Sequence, residues 1–144
     1  RSQMICFFDT NILVYTVDTS EPARQEQAID CLARAVRDDT IVISTQVLQE
    51  FYSITTRKLR PPLSPREAAQ QVEQLCGFEV VGASAHSIMS AAELAQRHKL
   101  AWWDALILEA AQRANADVLF SEDGQHGRRF GQLTMTNPFL APQT

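Results

Sequence analysis

No stretch of this chain is apolar for the roughly 18 residues needed to cross a bilayer, and no basic segment leads into an apolar run and a cleavage site. A cytoplasmic location, away from any membrane, is therefore expected. Cysteine is sparse: Cys6, Cys31 and Cys76 are odd in number, widely spaced and set in apolar or helical patterns. That excludes a disulfide framework or a zinc knuckle and predicts three buried thiols. Glycine is scarce too, five in 144 residues, and with no low-complexity or linker-like stretch there is neither an internal boundary nor a repeat. An excess of positive charge is also missing. The formal net charge of −4 argues against a domain held to nucleic acid by bulk positive field alone.

What is present suits one domain: 144 residues, 45% of them hydrophobic, are enough for one contiguous core. The domain is expected over 4–144, with Arg1-Ser2-Gln3 ahead of Met4 set aside as a remnant of expression. The apolar run 4–8 ends in a turn signal, as does a strand covered on both faces; 40–43, 78–81 and 118–120 read alike, and 132–135 forms a late edge strand. Helical spacing fills the gaps over 22–37, 45–59, 65–76, 84–98 and 103–114, with a short helix over 11–17 that Asp9 is placed to cap. Ser64-Pro65-Arg66-Glu67 is a capping box with proline at the first helical position. Asn115 and Gly77 are expected to end their helices in the left-handed region. Strands alternating with such helices imply an α/β fold, a three-layer α/β/α sandwich around a mainly parallel sheet. In that architecture the functional crevice lies at the carboxyl ends of the strands.

Acids stand where acids are costly. Asp9 ends the first strand and Asp123 follows 118–120, so both project from one edge of the sheet. At about 100° per residue, Asp104 falls beside Ile107, Leu108 and Ala111, with Glu109, Gln112 and Arg113 opposite. Glu50 falls at the margin of the stripe made by Val47, Phe51, Ile54 and Leu59. Removing a carboxylate from water costs several kcal/mol unless a cation, dense hydrogen bonding or protonation compensates. Lysine supplies little: Lys58 and Lys99 are the only two. A shared hard divalent cation, Mg²⁺ or Mn²⁺, is the economical partner for such a set. Glu122 is a rival to Asp123, because one residue of slip along the strand end exchanges them. Asp117 is read as a turn or cap before its strand, and Asp18, Asp38 and Asp39 as helix-end or loop acids.

With Phe8-Asp9-Thr10-Asn11-Ile12-Leu13, Gln49-Glu50-Phe51, Trp103-Asp104-Ala105-Leu106-Ile107 and 116–123 in this order and spacing, the chain resembles the PIN domain, most closely the VapC-type toxins of bacterial toxin–antitoxin pairs. The resemblance spans nearly the whole chain. It implies that Asp9, Glu50, Asp104 and Asp123 form an acidic quartet holding Mg²⁺ or Mn²⁺ for RNA cleavage to 5′-phosphate and 3′-hydroxyl ends. It further implies that Thr10, Asn11 and Ser121 orient those carboxylates or touch the scissile phosphate, Ser121 standing where the family usually has threonine. A homodimer and a small VapB-like antitoxin, whose tail enters the acidic crevice, are also implied. Two bound divalent ions would offset the negative balance of the chain. Arg57, Lys58, Arg60 and Arg66, or Arg128 and Arg129, are candidates to grip the RNA backbone. Trp102 and Trp103 are expected to pack rather than stack on bases, and of the histidines only His126 is expected near the site.

Other classes fit less well. A phosphoaspartyl phosphatase wants a second acid two residues after the first, where this chain has Asn11, and a receiver domain wants a late lysine, yet none follows Lys99. The remaining alternative is a PIN-like module that binds RNA or a partner chain without cutting.

Overall fold

The computed structural model describes residues 3–140, so the first two residues and 141–144 of the expected domain lie outside it. The strands are β1 (Ile5–Phe8), β2 (Thr40–Ser44), β3 (Glu79–Val81), β4 (Val118–Phe120), β5 (Arg129–Phe130) and β6 (Leu133–Thr136). The helices are α1 (Thr10–Tyr15), α2 (Pro22–Asp38), α3 (Thr45–Arg57), α4 (Pro65–Leu75), α5 (Ala85–His98) and α6 (Trp102–Arg113). Their ends fall within two residues of the sequence reading, since capping residues mark most of them. At α4 the Ser64 hydroxyl accepts from the Glu67 amide while the Glu67 carboxylate accepts from the Ser64 amide, which closes the expected box.

The sheet runs β3-β2-β1-β4-β6-β5, with every pairing parallel except β5 against β6. From β1 the chain steps outward to β2 and β3, then returns to the other side of β1 as β4. Right-handed crossovers therefore put α1 to α4 on one face and α5 with α6 on the other, giving the α/β/α sandwich. The direction of winding reverses between β1 and β4. Their paired ends, Phe8 against Phe120, open the crevice that this reversal leaves at the carboxyl edge.

The strands carry apolar side chains on both faces because helices cover both. Phe7, Phe8, Ile43 and Leu119 are fully buried, joined by Ile12, Phe51 and Val47 from the helices. Burial of each such side chain is worth about 1.5–3 kcal/mol. At the opposite edge Asp117 is more than a turn residue. Its carboxylate accepts from the Ile5 amide at 2.8 Å and from Gln132, tying the starts of β1 and β4 together.

Several expectations need correction. β6 is not an edge strand, because the two-residue β5 folds back on it through Gly131 and Gln132, with Gly131 at φ +63° in the manner of a type II′ turn. Asn115 is left-handed at φ 60°, as expected, but Gly77 is not, and Lys99 takes that role at the end of α5 with φ 55°. Cys6 and Cys31 are buried whereas Cys76, at the end of α4, is exposed. Trp102 and Trp103 do not pack into the core. They occupy the first turn of α6 and are 39% and 62% exposed, because the apolar face of that helix begins only at Ala105. Glu109 is not on an open face either; with only 11% of its side chain exposed, it pairs with Arg113 through two hydrogen bonds.

Candidate active site

Asp9 is the residue at which β1 becomes α1. Its backbone is extended, at φ −68° and ψ 155°, and its amide donates to the Phe120 carbonyl at 2.9 Å, so the position is locked to β4. The side chain is buried with each oxygen engaged: Oδ1 accepts from the Thr10 amide at 2.7 Å and Oδ2 from the Ser121 hydroxyl at 2.9 Å. Both donors are neutral. Burial accordingly raises the carboxyl from 3.8 to about 6; the bonds from Ser121 and Thr10 oppose the rise, and the charges of Asp123 and Glu50 add to it.

The neighbouring acids are held in the same way, by neutral groups. Thr10 Oγ1 donates to Glu50 Oε1 at 2.7 Å, joining α1 to α3, and the Gln46 amide reaches Glu50 Oε2 at 3.4 Å. Asn11 Nδ2 donates to Asp123 Oδ2 at 2.9 Å. Ser121 Oγ also accepts from the Asp123 amide at 3.2 Å, so one hydroxyl bridges Asp9 and the Asp123 loop. Asp104 sits in the first turn of α6, where free amides and the helix dipole favour a carboxylate. Its carboxyl is raised by partial burial and by the charges of Asp123 and Glu50.

Asp9, Asp104, Ser121 and Asp123 border one cavity of about 140 Å³. Its apolar lining is made by Leu100, Ile107, Leu108, Leu119, Phe130 and Met135, and Gly124, Gln125 and Arg128 complete it. Glu50 is not part of that cavity, and meets Asp9 through Thr10 instead. Among the described residues none of the four acids makes an ion pair. Nor do any three carboxylate, imidazole or thiol groups among them stand at the mutual distances of a ready-made metal cage. The donor set nevertheless fits a hard divalent cation: all-oxygen, anionic, uncompensated and oriented from behind by hydroxyl and amide donors.

Glu122 is directed elsewhere. It pairs with Arg24 and accepts from the Tyr15 hydroxyl at 2.9 Å, a bond that together with burial raises the phenol to about 12. Arg24 also lies over the Phe139 ring at 4.6 Å and the Tyr15 ring at 5.7 Å. Sequence reading missed this latch because its members are far apart in the chain. His126 accepts from the Asn137 amide and borders a separate groove. Lys58 and Arg60 line a third groove that Asn11 also borders, while Arg60 donates to the carbonyls of Arg57 and Leu59 at the end of α3.

Solved structures with the same fold include the VapC20 toxin of Mycobacterium tuberculosis, described as cleaving the sarcin–ricin loop. It is 19% identical over 83% of this chain and 90% of its own, with a TM-score of 0.66. A toxin–antitoxin complex from Klebsiella pneumoniae matches with a TM-score of 0.71 and 19% identity over 93% of this chain and 98% of that one. VapBC2 from Rickettsia felis, bound to a DNA fragment of its promoter, matches with a TM-score of 0.67 and 21% identity over the same shares of 93% and 98%. No curated protein matches the sequence. The family model of the PIN domain matches residues 6–129, taking in β1, the whole crossover and the Asp123 loop, and on that extent the chain belongs to the PIN domain family.

Proposed function

We propose that this protein is a metal-dependent endoribonuclease toxin, which cuts RNA to 5′-phosphate and 3′-hydroxyl ends and is neutralised by a small VapB-like antitoxin. One observation carries the reading. Asp9, Asp104 and Asp123 border one cavity from three different elements and Glu50 is joined to Asp9 through Thr10; neutral donors hold Asp9, Glu50 and Asp123, and among the described residues none of the four makes an ion pair. A set of structural acids would be expected to be tied off singly, as Glu122 is by Arg24.

The four carboxylates would hold Mg²⁺ or Mn²⁺, which when bound supplies a water of lowered pKa and charge neutralisation at the scissile phosphate. The chain's own part is orientation. Ser121 and the Thr10 amide fix the two oxygens of Asp9, Thr10 Oγ1 turns Glu50 toward it, and Asn11 aims Asp123. No histidine or lysine borders the cavity among the described residues, so any base acting there is a carboxylate or a metal-bound hydroxide. The neighbours from Klebsiella pneumoniae and Rickettsia felis were solved as toxin–antitoxin complexes, which supports an antitoxin for this chain. A cationic tail entering the crevice would meet the uncompensated acids.

The test is cutting of structured RNAs with Mg²⁺ or Mn²⁺ by the wild type, by Asp9→Asn, and by the wild type in chelator, with the 5′ ends mapped. Loss of cutting by about two orders of magnitude or more in the last two samples is expected, with phosphate at the new 5′ ends. Equal cutting in all three would end the metal reading. No cutting at all, with RNA or antitoxin still bound, would favour the non-catalytic alternative.

A further inference from the structure

The cavity has an apolar lining for which phosphodiester hydrolysis has no evident use. Beside Asp9, Asp104 and Asp123 it is bordered by apolar side chains, Phe130 and Met135 among them, with Ser121, Gln125 and Arg128 as its other polar members. The Arg128 guanidinium lies over the Phe130 ring at 4.6 Å, a flat cationic plate in the same lining. Gly124 helps to make the room. A Cβ there would come within 1.9 Å of Met135 Cε, the far end of a flexible side chain, so any other residue would move the thioether from the place it holds.

At about 140 Å³ the whole cavity, with the acids in its lining, is well below the roughly 300 Å³ at which drug-sized pockets begin, so it admits one ring system at most. Its chemistry matches a nucleobase: apolar walls for the faces, an adaptable methionine, a guanidinium plane to stack on, and a side-chain amide that both donates and accepts. An aliphatic side chain would fill the volume but leave Gln125 and Arg128 desolvated without partners. The acids in the same lining stand where a phosphate would be worked on, and a base extruded from the strand at that point reaches the apolar side chains beside them.

We infer that this cavity takes the base of a nucleotide flanking the scissile phosphate and so gives the cut a sequence preference. The inference rests on the RNA-cleaving reading for its substrate. Gln125 reads the edge of the base, Arg128 stacks on it, and Leu100 with Met135 sets how large a ring enters.

The experiment uses the full chain with Mn²⁺ and short RNAs that carry each base, or an abasic site, on either side of the cut. In parallel, binding of the ribonucleoside 5′-monophosphates and of ribose 5-phosphate is followed by NMR. At one flanking position, an abasic site is expected to slow cutting about tenfold or more, and one base to exceed the others by a similar factor. Leu100→Trp, which fills the cavity, should level that preference. Gln125→Ala, at an exposed position, should do so about tenfold without lowering the melting temperature, and it decides alone if Leu100→Trp fails to fold. Unchanged cutting of abasic RNAs, or full preference in folded variants, overturns the pocket while leaving the nuclease intact. If the wild type cuts no RNA, the monophosphates decide. Base-dependent binding lost in the variants upholds the pocket although the nuclease reading falls. Equal binding of ribose 5-phosphate, or protection of the cavity by a leucine-containing peptide and by no nucleotide, overturns it.

Discussion

Asp9 is the residue most at odds with its surroundings when no cation is bound. Its folded carboxyl titrates at about 6 against an ordinary 3.8, chiefly because it is buried. The folded state therefore holds the proton more tightly than the unfolded chain. Below about pH 4 both states are protonated and nothing is lost, but from there to above pH 6 the folded state bears a growing penalty, which a rise from 3.8 to about 6 puts at roughly 3 kcal/mol. In chelator at pH 7.5, Asp9→Asn should thus melt higher than the wild type, and the gain should vanish at pH 4. Added Mg²⁺ should stabilise the wild type and not the variant; calorimetry reads both. The two adjacent acids should separate just as cleanly. Asp123→Asn is expected to lower RNA cutting about a hundredfold, whereas Glu122→Gln should leave it within a few-fold. The latter should cost at most about 1 kcal/mol of stability, because Arg24 is more than a third exposed. The sequence made these candidates visible, since an acid at a strand end or on an apolar helix face is anomalous by itself. It could not show which way 122 and 123 turn. That depends on Arg24, nearly a hundred residues away, and on Asn11, whose amide meets Asp123 only after β1 and β4 have paired.

At the scale of elements, local signals did well where the chain makes its own cap and poorly where a neighbour decides. The box at Ser64 was readable because its two bonds lie within four residues. Ser64→Ala should cost about 1 kcal/mol in denaturant unfolding and leave cutting unchanged, since α4 contributes nothing to the crevice. β5 was not readable: two residues carry no periodicity, and Arg129 and Phe130 become a strand only because β6 offers an unpaired edge. The tryptophans misled for a related reason. Apolar residues at a helix start suggest burial, but α6 meets the sheet from Ala105 onward, leaving its first turn beyond the contact. Lys99 ends α5 in a conformation usually left to glycine or asparagine, and nothing in its side-chain chemistry announced that.

Over the whole molecule, alternation of strands and helices specified the architecture, and the order of the strands located the crevice. The acid cluster and the net charge of −4 are then one fact seen twice: negative charge is concentrated where dications are expected to remove it. A second copy of the chain is expected as well, and α5, where Ile88 and Met89 are 41% and 69% exposed, is the face to test. Sedimentation is expected to return twice the chain mass of 16.1 kDa, and Met89→Asp to return the single mass with cutting of RNA retained. Among the described residues no helix is long and apolar enough to cross a membrane.

The pairing of Phe8 with Phe120 also bears on when the proposed toxin could become dangerous to the cell that makes it. Asp9 is made more than a hundred residues before the strand that holds it, the serine that turns it and Asp123. A half-synthesised copy has acids and no crevice. Under the proposed function the cutting edge is thus completed only after that stretch has been made, and a partner made at the same time has that interval in which to be ready for it.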